Sequence, residues 1–75
     1  MKELVDYIAR AIVSHPDDVK VTEEDGDGQV LIKLEVHADD KGKVIGRQGR
    51  VAQAMRVLLR VAAVKEDTRA NLEII

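Results

Sequence analysis

Seventy-five residues leave room for one small domain, and 45% apolar residues beside 35% charged ones describe a chain that folds around a thin core. A core of that size leaves little space for a deep enzyme pocket, so the composition favours a binding module over a catalyst. Without cysteine there are no disulfides, thiolate zinc sites or cysteine nucleophiles, which fits a reducing cytoplasm. No apolar run nears the ~20 residues of a membrane span, and the opening Met1-Lys2-Glu3-Leu4-Val5-Asp6 lacks the features of a signal peptide.

The formal net charge of −2 conceals an asymmetry. Residues 1–40 carry 4 Lys/Arg against 11 Asp/Glu, and residues 41–75 carry 8 against 3. From Lys41 to Arg60 there are six positive residues (Lys41, Lys43, Arg47, Arg50, Arg56, Arg60) and no acidic one. Such a segment is either a solvated helix face or a local positive field that draws an anionic partner to an otherwise acidic protein.

Leu4, Val5, Ile8 and Ile12 recur at helical spacing, and Ser14-His15-Pro16 ends that pattern, so a first helix is predicted to about Val13. Val19 and Val21 alternate as a short strand, and Glu24-Asp25-Gly26-Asp27-Gly28 reads as a turn. The second arm, Gln29 to His37, places Val30, Ile32, Leu34 and Val36 on one face and Leu31, Lys33, Glu35 and His37 on the other. Asp39 or Asp40 is placed to cap a short helix over Lys41 to Ile45, and a longer helix is predicted from Arg50 to about Val64. On its wheel Val51, Ala54, Met55, Leu58 and Leu59 form the expected core face, and Arg50, Gln53, Arg56 and Arg60 the basic one, with Val57 inside the basic stripe. A last strand points Ala70, Leu72 and Ile74 inward. The order α-β-β-α-α-β implies a two-layer α+β domain over residues 1–75, a three-stranded sheet covered on one face by helices.

Gly46-Arg47-Gln48-Gly49 joins the two later helices. The glycines serve a tight turn, and they also let phosphates approach a backbone free of Cβ atoms, where the next helix presents unpaired N–H groups. Arg47 would supply charge from within the loop, with Lys43 and Arg50 beside it. G-x-x-G alone is a weak pattern, and its weight comes from lying between a short helix and a basic amphipathic one after a hairpin.

Val44-Ile45-Gly46-Arg47-Gln48-Gly49-Arg50 resembles the I-G-x-x-G segment of K-homology (KH) domains, modules that clamp a four-nucleotide backbone. The element order resembles the type II, bacterial arrangement across essentially the whole chain. His37 to Gly46 and the ending Arg69-Ala70-Asn71-Leu72-Glu73-Ile74 are similar to the small single-KH proteins of bacteria called KhpA or YlqC. The resemblance implies a cytoplasmic protein that binds single-stranded RNA, needs no cofactor and is not an enzyme. It further implies an RNA chaperone or post-transcriptional regulator linked to cell elongation and division, acting as a homodimer or with a larger Jag-type (KhpB) KH protein. Carried over by position, it assigns RNA contact to Lys43, Ile45, Gly46, Arg47, Gln48, Gly49, Arg50 and Gln53. Ile45 and the start of the long helix would form one wall of a shallow groove, and Leu34 and Val36 the other, although in so small a domain all three apolar residues are better suited to the core. Tyr7 is the only aromatic residue, so base stacking contributes little and a single copy should bind weakly. Two other readings stay open: a protein-interaction module in which the long helix and Val57 make the contact, and single-stranded DNA as the ligand.

No metal site is expected. His15 with Asp17 and Asp18 occupies a proline turn, and His37 ends a strand where capping accounts for Asp39 and Asp40. Glu23 to Gly28 lacks the glutamate of a calcium loop, since the twelfth position is Leu34. Gly42-Lys43-Val44 fails a phosphate-binding loop at its last residue, and Gly26-Asp27-Gly28-Gln29-Val30-Leu31 fails a dinucleotide fingerprint.

Overall fold

The computed structural model describes residues 1–75. Helix α1 (Lys2–Ile12) leads through a 3₁₀ turn at Pro16–Asp18 into strands β1 (Lys20–Gly26) and β2 (Gln29–Glu35). A second 3₁₀ turn, Ala38–Asp40, opens helix α2 (Lys41–Ile45), a third occupies Arg47–Gly49, and helix α3 (Arg50–Lys65) then delivers strand β3 (Arg69–Ile74). The expected α-β-β-α-α-β order holds. Strand β2 is central, antiparallel to β1 from Lys20↔Glu35 to Gly26↔Gln29 and parallel to β3 from Gln29↔Arg69 to Leu34↔Ile74. The parallel pairing follows from topology, because the α2–α3 excursion returns the chain to the end of the sheet from which β2 started.

The period-2 pattern of β2 supplies the middle of the core: Ile32 and Leu34 are fully buried, with Val30 beside them. Val5 and Ala9 of α1, Val44 of α2 and Met55 and Leu59 of α3 close over that face, and Leu72 of β3 completes it. No helix is long and apolar enough to cross a membrane.

Two local expectations are corrected. The acidic run does not form the turn: Glu24, Asp25 and Gly26 continue β1, each paired with β2, and only Asp27 and Gly28 turn the chain. Both have positive φ (47° and 77°), the condition of a two-residue turn whose twist suits a hairpin. Neither aspartate caps α2 with its side chain. Instead His37 Nδ1 accepts the Asp39 N–H at 3.0 Å, and the Asp40 carboxylate is used elsewhere.

Candidate nucleic-acid interface

The loop between α2 and α3 is fixed by its backbone. Gly46 closes α2 by donating its N–H to the Gly42 carbonyl at 2.8 Å, then adopts φ 78°, ψ 171°, a conformation essentially confined to glycine. Space demands glycine as well, since a Cβ there would stand 2.5 Å from Val51 Cγ2 and 2.8 Å from Val51 N. Gln48 (φ 58°) and Gly49 (φ 73°) follow in the left-handed region, and the Gly49 N–H returns to the Gly46 carbonyl at 3.1 Å. A non-glycine residue held in that region costs about 1–2 kcal/mol, so the surrounding turn imposes the conformation on Gln48. Helix α3 starts with no side-chain cap and no carboxylate in its first turn, leaving the positive end of its dipole open to an anion.

The structure brings the expected residues to one exposed edge. Arg47, Gln48, Arg50 and Gln53 are solvent-exposed, and Arg47 and Arg50 make no ion pair with any carboxylate of the chain. Ile45 is 41% exposed beside them, an apolar surface next to the loop, whereas its neighbour Val44 is wholly buried. Leu34 and Val36, the other expected groove wall, are core residues at 0% and 6% exposure, packed beneath the helices because Leu34 lies in the middle strand and Val36 just past its end. Lys43 is only half free: its ammonium reaches the Ser14 hydroxyl and stands 3.7 Å from Asp40 Oδ1. Arg56 leaves the basic stripe, being half-buried with Nη2 donating to the Leu72 carbonyl at 3.5 Å.

Helix α3 is turned relative to its predicted wheel. Met55 and Leu59 face the sheet as expected, but their companions are Ala52 and Ala63, and Leu58 and Ala54 lie outside. The small residues let the helix approach the sheet closely, which a ranking by side-chain hydrophobicity does not register. Val57, Leu58, Val61 and Val64, 46–72% exposed, therefore form an outward apolar stripe.

The anchor below the loop is Asp40. Although 1% exposed, its carboxylate accepts the backbone N–H groups of Ser14 at 3.0 Å and His15 at 2.9 Å, tying the α1–β1 connection to the start of α2. Burial presses this carboxyl upward, but the two N–H donors, with His15 and Lys43 adjacent, hold it below the ordinary carboxylate range. Sequence reasoning assigned Asp40 to a cap and missed this role. An aspartate beside a helix start carries no sign of a partner 25 residues earlier.

A family model described as KhpA/KhpB, KH domain, matches residues 2–74. The "RNA-binding protein KhpA" of Halalkalibacterium halodurans is 53% identical over 75 residues, covering 100% of this chain and 99% of that protein. The proteins of the same name from Caldanaerobacter subterraneus and Clostridium acetobutylicum are 52% and 47% identical, each alignment covering 100% of both chains. These relatives bear the name of RNA-binding proteins, not of enzymes. No solved structure matches. With nearly its whole length matched by the family model and by full-length relatives, the chain belongs to the KhpA/KhpB family of KH-domain proteins.

Proposed function

We propose that this protein binds single-stranded RNA by clamping the sugar-phosphate backbone on Gly46, Arg47, Gln48 and Gly49, with Lys43, Arg50 and Gln53 flanking it and Ile45 against a base. The observation that carries the reading is the loop itself: a glycine-enforced backbone, uncovered, at the open N-terminus of a helix, with Arg47 and Arg50 paired to no carboxylate. The relatives are named RNA-binding proteins, which supports RNA as the ligand class. No aromatic ring lies in α2, the loop or α3, so bases meet aliphatic surface and a single domain binds weakly. The same reading makes the chain a cytoplasmic RNA chaperone or post-transcriptional regulator serving cell elongation and division.

A second reading, self-association, is favoured by the Val57, Leu58, Val61 and Val64 stripe, which a second copy or a KhpB-type KH protein would cover. Two domains on one RNA would raise avidity through effective concentration, so pairing supports RNA binding as well as competing with it as an explanation. Sedimentation of Val57→Asp/Val61→Asp separates the roles. A monomer that still binds RNA, more weakly, fits the proposal, and an unchanged oligomeric state removes the stripe from it.

The direct test is fluorescence anisotropy of labelled single-stranded RNA against wild type and Arg47→Asp/Gln48→Asp at two salt concentrations. Salt-sensitive binding lost in the variant, with circular dichroism unchanged, is the expected result. Binding retained by the variant refutes the clamp, and equal affinity for DNA of the same sequence makes the ligand single-stranded nucleic acid in general.

A further inference from the structure

The α1–β1 and β2–α2 connections meet through two imidazoles. His15 and His37 stack with ring centroids 4.1 Å apart and planes inclined by 25°. Asp39 stands beside them with Oδ2 3.6 Å from His37 Nδ1, and one ligand atom from each of the three residues lies within 4.8 Å of the other two. A tetrahedral ion with bonds of about 2.1 Å holds its ligand atoms about 3.4 Å apart. The His37–Asp39 edge of such a tetrahedron is thus already formed to within a few tenths of an ångström, and the remaining closure falls on His15, an exposed side chain able to turn.

The geometry points to a site for a divalent transition-metal ion of the zinc class, with His15, His37 and Asp39 as ligands and water completing the coordination. Imidazole nitrogens select zinc, nickel or copper, whereas magnesium and calcium require oxygen ligands throughout. Two further observations support it. Asp40 accepts the His15 N–H at 2.9 Å, so the backbone carrying one ligand is held against the turn carrying the other two. Asp17, Asp18 and Glu35, with Lys20 among them, line a recess of about 290 Å³ that His37 also borders, and the excess of carboxylates over the one ammonium there favours an arriving cation. An ion on His37 Nδ1 would displace the Asp39 N–H from that lone pair, and this exposed backbone donor would then be hydrated. Bound there, the ion would cross-link the two connections at the base of α2. Asp17 and Asp18, the partners that proximity in sequence suggested for His15, are not among the converging ligands.

The test is calorimetric titration of tag-free protein with zinc chloride, paired with thermal melts. A saturable event near one ion per chain, with a melting temperature that rises with zinc, is expected. His15→Ala and His37→Gln, the latter keeping an acceptor for the Asp39 N–H, should each weaken binding by at least the ~10-fold that loss of even an outer-shell partner costs. Arg47→Asp/Gln48→Asp should bind zinc as wild type does, and excess magnesium should not displace it. No saturable binding up to about 1 mM zinc, where a site contributes little more than 4 kcal/mol, overturns the proposal. Undiminished binding by His15→Ala/His37→Gln, or displacement by magnesium, also overturns it, the latter by moving the ion to the carboxylate recess.

Discussion

Gly46 and Val51 approach so closely that the first residue of the loop and the first turn of α3 form one packed unit: a Cβ on Gly46 would stand 2.9 Å from Val51 Cβ and 2.5 Å from its Cγ2. Gly49 has the same sign of φ, but nothing lies within 4 Å of where its Cβ would be. The two glycines of the motif therefore have different reasons to be glycine. Gly46→Ala meets both a clash and a forbidden backbone region and should destabilise the domain by about 2–4 kcal/mol. Gly49→Ala meets only the left-handed penalty of about 1–2 kcal/mol. Urea unfolding of the two variants checks the order, and equal losses would show that the loop relaxes around Gly46.

Helix α3 ends with the Thr68 N–H on the Ala63 carbonyl at 2.9 Å and the Asp67 N–H on the Val64 carbonyl at 3.1 Å, the paired bonds of a Schellman cap. The residue in the left-handed position is Asp67, at φ 56°, where glycine carries no steric penalty. Asp67→Gly should stabilise the protein by about 1 kcal/mol, and a thermal melt showing a rise of several degrees checks it. RNA affinity should not change, since Asp67 lies at the opposite end of α3 from Gly49.

These positions show what the sequence makes legible. Glycine pairs and binary alternation are local, so the loop at Gly46 to Gly49, the buried face of β2 and the start of α3 can be read directly. What depends on partners distant in sequence cannot. Glu24 and Asp25 have the composition of a turn, yet pairing with Leu31 and Val30 holds them in β1, tertiary context overriding propensity. Leu58 outranks Ala52 in hydrophobicity, but close packing on the sheet selects the alanine. Among the site residues, Arg47, Gln48, Arg50 and Gln53 stand where a linear reading puts them. Lys43 is diverted by a buried carboxylate whose other partners are in another connection.

That carboxylate, Asp40, accepts two backbone N–H groups and stands near Lys43, while Asp39 next to it has a side chain 78% exposed. Asp40→Asn keeps one acceptor oxygen and turns an amide donor toward the second N–H, leaving a buried donor unpaired. A clear drop in melting temperature is expected for Asp40→Asn and almost none for Asp39→Asn, both measured in a chelator. Comparable melting of the two variants would mean that the α1–β1 connection stays in place without its anchor.

Arg50 and Arg56 belong to one basic stripe in the sequence but to different environments in the fold. Arg50 is exposed at the start of α3 with no carboxylate partner, and Arg56 is half-buried, donating to the Leu72 carbonyl at 3.5 Å. A guanidinium that neutralises a phosphate releases counterions, lowering log affinity against log salt by about 0.7 per contact on a single strand. Arg50→Gln should therefore flatten that slope by about 0.7 and leave stability nearly unchanged. Arg56→Gln should flatten it less and instead cost about 1 kcal/mol through the lost hydrogen bond and packing. Anisotropy titrations from low to moderate salt, with a urea melt of each variant, give both numbers. Equal slope changes would show that Arg56 leaves Leu72 when RNA binds and that the whole stripe, not the loop end alone, carries the backbone.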